Sequence, residues 1–215
     1  MSNAYSGVTK TMMRAAMLTL ALGGAGFALT ACQSDKDIDI TKLVPDGDPP
    51  EVLYNQGLAN LKAGKTAEAA RKFDAIEQQN PFTDWARKAM VMSTFTKYRL
   101  GRSEEAVTTG TRYMQQYPRS EDSAYVQYLI GLAYSRQIVS VTQDQSASLK
   151  TIDAMQKVVT NFPDSEYVDD AQAKIRFARD QLAGKEMQVG RYYLERKEYL
   201  AAISRFRVVV EQYGN

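Results

Sequence analysis

The only cysteine in this 215-residue chain, Cys32, closes the tetrapeptide Leu29-Thr30-Ala31-Cys32. A small residue just before the cysteine admits a signal peptidase, and the thiol can carry a diacylglyceryl group. The arrangement reads as the lipobox of a bacterial lipoprotein signal peptide. Upstream, Lys10 and Arg14 precede the apolar, small-residue run 15–29, and residues 1–31 hold no acidic side chain. That run is shorter than the ~20 residues of a bilayer span, and Gly23, Gly24 and Gly26 interrupt it. It reads as a cleaved leader, with the mature chain starting at Cys32. Lipidation also consumes a thiol that would otherwise be unpaired in an exported protein. Several acyl chains give stable anchoring that one chain does not.

Other chemistry is sparse. The sequence has no His and one Cys, so His-based triads, His-metal sites and an internal disulfide are excluded. Residues 59–66, Ala-Asn-Leu-Lys-Ala-Gly-Lys-Thr, loosely fit a phosphate loop. A phosphate loop needs a preceding strand and a glycine-rich backbone, whereas this stretch falls in a helix and a two-residue turn. Glu104/Glu105 and Asp169/Asp170 are adjacent on exposed helical faces, where neighbouring carboxylates do not converge on one substrate. The chain is therefore read as non-enzymatic, with no catalytic residue, cofactor or metal.

The formal charge of +2 comes from 27 basic and 25 acidic residues. Cleaving the leader removes Lys10 and Arg14 and leaves the mature side chains balanced at 25 each. Nothing in that balance implies nucleic-acid binding. Residues 32–50 are acidic and rich in Pro and Gly and read as a tether from the lipidated Cys32. Eighteen extended residues reach at most ~60 Å. In enteric bacteria an Asp after the lipidated cysteine retains the protein in the inner membrane; Gln33 there points to the outer membrane.

From residue 51 the chain repeats. Asn80-Pro81, Tyr117-Pro118, Phe162-Pro163 and Tyr213-Gly214 each close an apolar-periodic segment. Twelve residues before each lies Ala69, Ala106, Thr151 or Ala202, and eight before lies Phe73, Gly110, Met155 or Phe206. Gly64 and Gly101 stand seventeen before the first two, between helical stretches. Gly57 to Pro81 and Gly190 to Gly214 both span 24 residues. This is the tetratricopeptide pattern: a small residue lets two helices approach, and Pro ends the second one.

The pattern predicts an all-α helical-hairpin solenoid of about five repeats over 51–215, the last one incomplete. Nine helices are expected, at 51–63, 66–79, 83–100, 103–116, 121–138, 147–161, 165–182, 185–196 and 199–213. Eight extra residues around 140–148 imply a long polar loop in the third repeat, read as variable surface. A solenoid end normally presents a polar face. Ala202, Phe206 and Val209 are expected to lack a following partner, so a further C-terminal helix is expected.

Among the aromatics, Phe73, Tyr134 and Phe206 occupy packing positions of the repeat. Tyr54, Phe82, Trp85 and Tyr98 are candidates for a concave peptide-binding face in the first two repeats.

The lipobox, the short acidic tether and the hairpin repeats together resemble the BamD family of lipoproteins, part of the β-barrel assembly machinery of the Gram-negative outer membrane. The more specific stretches are Asn80-Pro81-Phe82, the run 124–132 (AYVQYLIGL), and Asp180-Gln181-Leu182 through Tyr192-Tyr193-Leu194-Glu195-Arg196 to Arg205. The resemblance implies an outer-membrane, periplasm-facing, lipid-anchored scaffold. Its implied partners are the barrel subunit's periplasmic POTRA domains, accessory lipoproteins and the C-terminal signal of unfolded outer-membrane proteins. It also implies partner-binding roles for Arg196 and Arg205, with Tyr192 one turn before Arg196. One departure is Asn80, where the family often has an aromatic residue. A periplasmic repeat protein coordinating envelope constriction or peptidoglycan synthesis is the competing reading, because Tyr117-Pro118-Arg119-Ser120 suits such a repeat boundary.

Overall fold

A computed structural model of the chain describes residues 47–214. Cys32, the leader and most of the tether lie outside the described residues. The described part is all-α and forms a tetratricopeptide-type solenoid of antiparallel hairpins. Its helices are α1 (Pro50–Lys62), α2 (Thr66–Gln79), α3 (Asp84–Arg99), α4 (Ser103–Gln116), α5 (Ser123–Ser135), α6 (Ser146–Asn161), α7 (Val168–Glu195) and α8 (Tyr199–Tyr213). Pro50 occupies the first turn of α1, where its missing N–H leaves no bond unmade.

The sequence spacing becomes contact at the glycines. A Cβ built on Gly57 would stand 2.6 Å from Phe73 Cε1, and one on Gly131 2.6 Å from Met155 Sδ. On Gly190 it would lie 2.3 Å from Phe206 Cε1. In each hairpin the first helix lacks a side chain where the second inserts a large one, so the axes close up. The second hairpin reverses this. Thr94 stands on α3 where the others have Gly, and Gly110 is on α4, where a Cβ would be 2.8 Å from Ile130 of the next repeat. Ala69, Ala106 and Thr151 are completely buried and Ala202 nearly so, which is what a close helix crossing requires at that position. Phe73 and Met155 are fully buried as well, whereas Tyr134 and Phe206 are half-buried.

Polar groups also lock neighbouring repeats. Lys97 on α3, only 8% exposed, donates to Asp74 on α2 (2.9 Å) and to Thr109 on α4 (3.0 Å). Buried charge is tolerated here because it is paired and hydrogen-bonded.

The tight turns share one geometry. Gly64 and Gly101 both have φ of 75°, and the turn amides Lys65 and Arg102 reach back to Asn60 O and Lys97 O. The last turn repeats the pattern, with the Glu198 amide on Tyr193 O, but the residue at φ 62° is Lys197. This is the left-handed helix terminus for which glycine is suited. Lys197→Gly is therefore expected to raise the unfolding free energy by about 0.5–1 kcal/mol, the relief of the left-handed strain less the extra chain entropy of glycine, read by urea denaturation. An unchanged or lower midpoint would contradict the geometry.

Two expectations are corrected. The break expected between residues 182 and 185 is absent, so the described residues form eight helices rather than nine, and α7 runs 28 residues without interruption. Gly184 carries neither a positive φ nor a following Pro. It instead lets the third-repeat loop approach, with Val141 Cγ1 3.0 Å from where a Cβ would sit. Lys185 Nζ donates to Thr142 O at 3.3 Å, and Gln145 Nε2 holds the loop through Ser140 O and Gln143 O, both at 3.1 Å. The segment between α5 and α6 is thus seated on the middle of α7. The N-terminal half of α7 packs Ala171 and Ile175 against Met155 and Val158 of α6, and its C-terminal half receives Phe206 of α8.

The second correction concerns α8. Ala202 is buried at 2% exposure and Phe206 sits over Gly190, because both face α7. The exposed apolar face is formed by Leu200, Ile203 and Val210.

Candidate partner-binding surfaces

Tyr54, Trp85 and Phe82 sit at the N-terminal ends of the first helices of repeats one and two. Tyr54 in α1 packs edge-on against Phe73 with ring centroids 5.4 Å apart, and against Trp85 of α3 at 5.5 Å. Burial, then the negative charge of Asp122, hold the Tyr54 hydroxyl above the usual phenol range. It stays a neutral donor. Lys88 Nζ lies 5.4 Å from the Trp85 ring.

Phe82 occupies the turn before α3, 81% exposed, with φ of 63°. The turn is held by Thr83, whose hydroxyl donates to Asn80 O (2.9 Å) and accepts from the Ala86 amide (3.1 Å). Holding a bulky residue in the left-handed region is unfavourable. The ring is consequently presented to solvent at a conformational cost.

Tyr98 is separated from that group. Thirteen residues along α3 from Trp85 correspond to about 20 Å. Tyr98 is half-buried against the α3–α4–α5 core, with the Arg136 guanidinium 4.3 Å over its ring. The four peptide-binding candidates therefore form an adjoining pair, Tyr54 and Trp85, with Phe82 in the turn beside α3 and Tyr98 at the far end of that helix.

Three tyrosines without a predicted role continue the row of helix starts. Tyr167, capping α7, stacks on Tyr128 of α5 at 4.9 Å and packs at a tilt against Tyr125 at 5.5 Å. Tyr128 Oη donates to Asp170 Oδ2 at 2.7 Å. Burial first, then the hydrogen bond to Asp170, raises the Tyr128 hydroxyl, and burial with Glu166 pushes Tyr167 up to about 12. Between the two aromatic groups, Arg87 of α3 pairs with Asp122 (2.7 Å) and Glu121 (3.4 Å). The sequence signal was an aromatic in or beside the first turns of α1, α3, α5 and α7; it becomes visible only when those turns are lined up.

The second surface lies at the last hairpin. Tyr192 is 51% exposed on the last turn of α7, and the Arg196 guanidinium stacks 4.9 Å over its ring while donating to its hydroxyl. Tyr193 packs edge-on beside Tyr192 at 5.6 Å. The αL turn at Lys197 fixes where Arg196 leaves the helix. Arg205, from α8, is committed to Glu186 of α7 at 3.1 Å. Tyr192 and Arg196 thus form one preassembled unit, whereas Arg205 braces the hairpin beside it. Leu194, Tyr199 and Leu200 expose further apolar area there.

The family model YfiO, described as an outer membrane lipoprotein, matches residues 46–215. The outer membrane protein assembly factor BamD of Caulobacter vibrioides is 38% identical over 171 residues, 80% of this chain and 56% of that protein. BamD of Rickettsia prowazekii is 36% identical over 202 residues, 94% of this chain and 78% of the relative. BamD of Pasteurella multocida is 28% identical over 197 residues, covering 87% and 73%. The chain thus spans little more than half the length of the Caulobacter relative.

Proposed function

The chain belongs to the outer membrane lipoprotein family that YfiO describes, and from that premise we propose that it is a non-catalytic, lipid-anchored scaffold of outer-membrane protein assembly. The supporting observation is the likeness to relatives named as outer membrane protein assembly factors over most of the chain. In this reading Cys32 carries the lipid after cleavage of residues 1–31, and residues 32–50 tether the array beneath the outer membrane. Tyr192 and Arg196, supported by Arg205, hold the periplasmic domains of the barrel subunit. Tyr54, Phe82, Trp85 and Tyr98 receive the C-terminal signal of unfolded outer-membrane proteins, and accessory lipoproteins complete the assembly.

The physical case rests on presentation. A guanidinium stacked on an aromatic ring is immobilised before binding, so a partner carboxylate meets a pre-oriented donor. An exposed Phe82 in an unfavourable backbone region suits an anchor for apolar side chains.

Affinity capture of the lipidated protein from solubilised outer membrane is the decisive experiment. Recovery of a large barrel protein with periplasmic domains is expected; recovery only of cell-wall synthesis or constriction proteins would favour the competing reading. For the anchor, Cys32→Ser is expected to shift the protein from the outer-membrane fraction to the soluble periplasmic or inner-membrane fractions. Unchanged outer-membrane association would sink that assignment.

A further inference from the structure

The strip along the starts of α1, α3, α5 and α7 has two ends of different chemistry. At one end Tyr54 and Trp85 pack at a tilt, with Lys88 over the indole. At the other, Tyr128 stacks on Tyr167 and Tyr125 packs at a tilt beside it, among the carboxylates of Asp170 and Glu166. Among the described residues neither Asp170 nor Glu166 is paired with a cation, and both are exposed. Of the neighbouring cations, Arg87 is taken by Asp122 and Glu121, Arg136 lies on Tyr98, and Lys174, one turn after Asp170 on α7, makes no ion pair with it. On α7, Phe177 follows Asp170 by seven residues, two turns along the same face, and is 45% exposed.

Aromatic faces bordered by unpaired carboxylates attract cations twice, through the ring quadrupole and through the formal charge. Backbone alone offers no such cation, and an acidic segment would be repelled. We propose that the Tyr125–Tyr128–Tyr167 cluster with Asp170 and Glu166 is a subsite for an arginine or lysine side chain of an extended polypeptide. The aromatic end at Tyr54 and Trp85 takes an apolar residue of the same segment. The opposite charges at the two ends, Lys88 against Asp170 and Glu166, then set the direction in which the segment lies. This inference rests on the reading of the chain as a receiver of unfolded polypeptide.

The test uses the detergent-solubilised mature protein and two labelled synthetic peptides, identical except that one carries arginine and the other its neutral isostere citrulline, each with a phenylalanine several residues away. Fluorescence anisotropy at low salt is expected to show the arginine peptide binding about five- to tenfold tighter. In the double variant Glu166→Gln, Asp170→Asn that preference should vanish, while affinity for the citrulline peptide is unchanged. Equal binding of both peptides to the unaltered protein, or a preference that survives in the variant, would overturn the proposal. Failure of both peptides to bind would remove the receiver reading together with it; binding of both without preference would remove this subsite alone.

Discussion

Trimming Phe73 to alanine is expected to lower the stability of the array by about 3–5 kcal/mol, the usual range for emptying a fully buried aromatic site. The ring is completely buried and lies against Tyr54 and the bare backbone of Gly57. Collapse around the cavity is limited because the two helix axes are already at closest approach there. The mirror-image change is instructive. Gly57→Ala gains helix propensity of about 1 kcal/mol but places a methyl 2.6 Å from Phe73 Cε1, and overpacking of this kind removes about 1–3 kcal/mol. It should therefore be neutral to destabilising alone, and become stabilising when Phe73 is shortened to leucine. Urea unfolding of the two single variants and the double variant supplies the coupling. Additive effects would mean that Gly57 and Phe73 are not a matched pair. Gly190→Ala should behave more mildly, because half-buried Phe206 can swing toward solvent.

That matching explains why so much of the fold was legible in the sequence. Repeat spacing is a one-dimensional record of which residues meet: Gly57 with Phe73 and Gly190 with Phe206 recur at sixteen residues, and Gly131 with Met155 at twenty-four where the longer loop intervenes. What periodicity could not supply was the fate of residues 183–185. Gly184 there meets a tertiary partner, Val141, delivered from more than forty residues upstream, and no local pattern contains that contact. The α8 faces failed for a similar reason. Ala202, Phe206 and the exposed Leu200, Ile203 and Val210 all lie on one apolar helix, and only docking on α7 decides which of them turn inward.

The surfaces were legible as residue types and less so as groups. Tyr192 and Arg196 are four apart, so a helix brings them together without help from the rest of the chain. Tyr54 and Trp85 meet only because α1 and α3 lie side by side, and Tyr98, chosen on the same composition grounds, ends up about 20 Å along the helix. Tyr128 and Tyr167 are separated by a whole loop and helix, yet they stack. Their one mark in the sequence, a place near the start of a helix, shows only once the helix starts are aligned.

Arg196→Glu is expected to weaken the complex with the barrel subunit's periplasmic domains by at least about 30-fold, the lower end for disrupting a desolvated interfacial charge pair. Its guanidinium is already stacked on Tyr192, so the loss falls on partner contact more than on the fold. Some stability is lost as well, because Arg196 caps α7 and a negative charge there opposes the helix dipole by about 0.3–1 kcal/mol. Arg196→Gln separates the two effects, since it removes the positive charge without adding a negative one. Arg205→Glu should behave differently. It sets a carboxylate against Glu186, now 3.1 Å from the arginine, and its main consequence is a looser last hairpin, read as a lower thermal midpoint. Tyr192→Phe keeps the ring under the guanidinium and should change affinity by less than the loss of the ring in Tyr192→Ala. Calorimetric titration of the purified mature protein with the isolated periplasmic domains reads all five. Arg196→Glu binding within twofold of the unaltered protein, or an Arg205→Glu defect as large as that of Arg196→Glu with no change in midpoint, would show that the stacked Tyr192–Arg196 unit is not the recognition element.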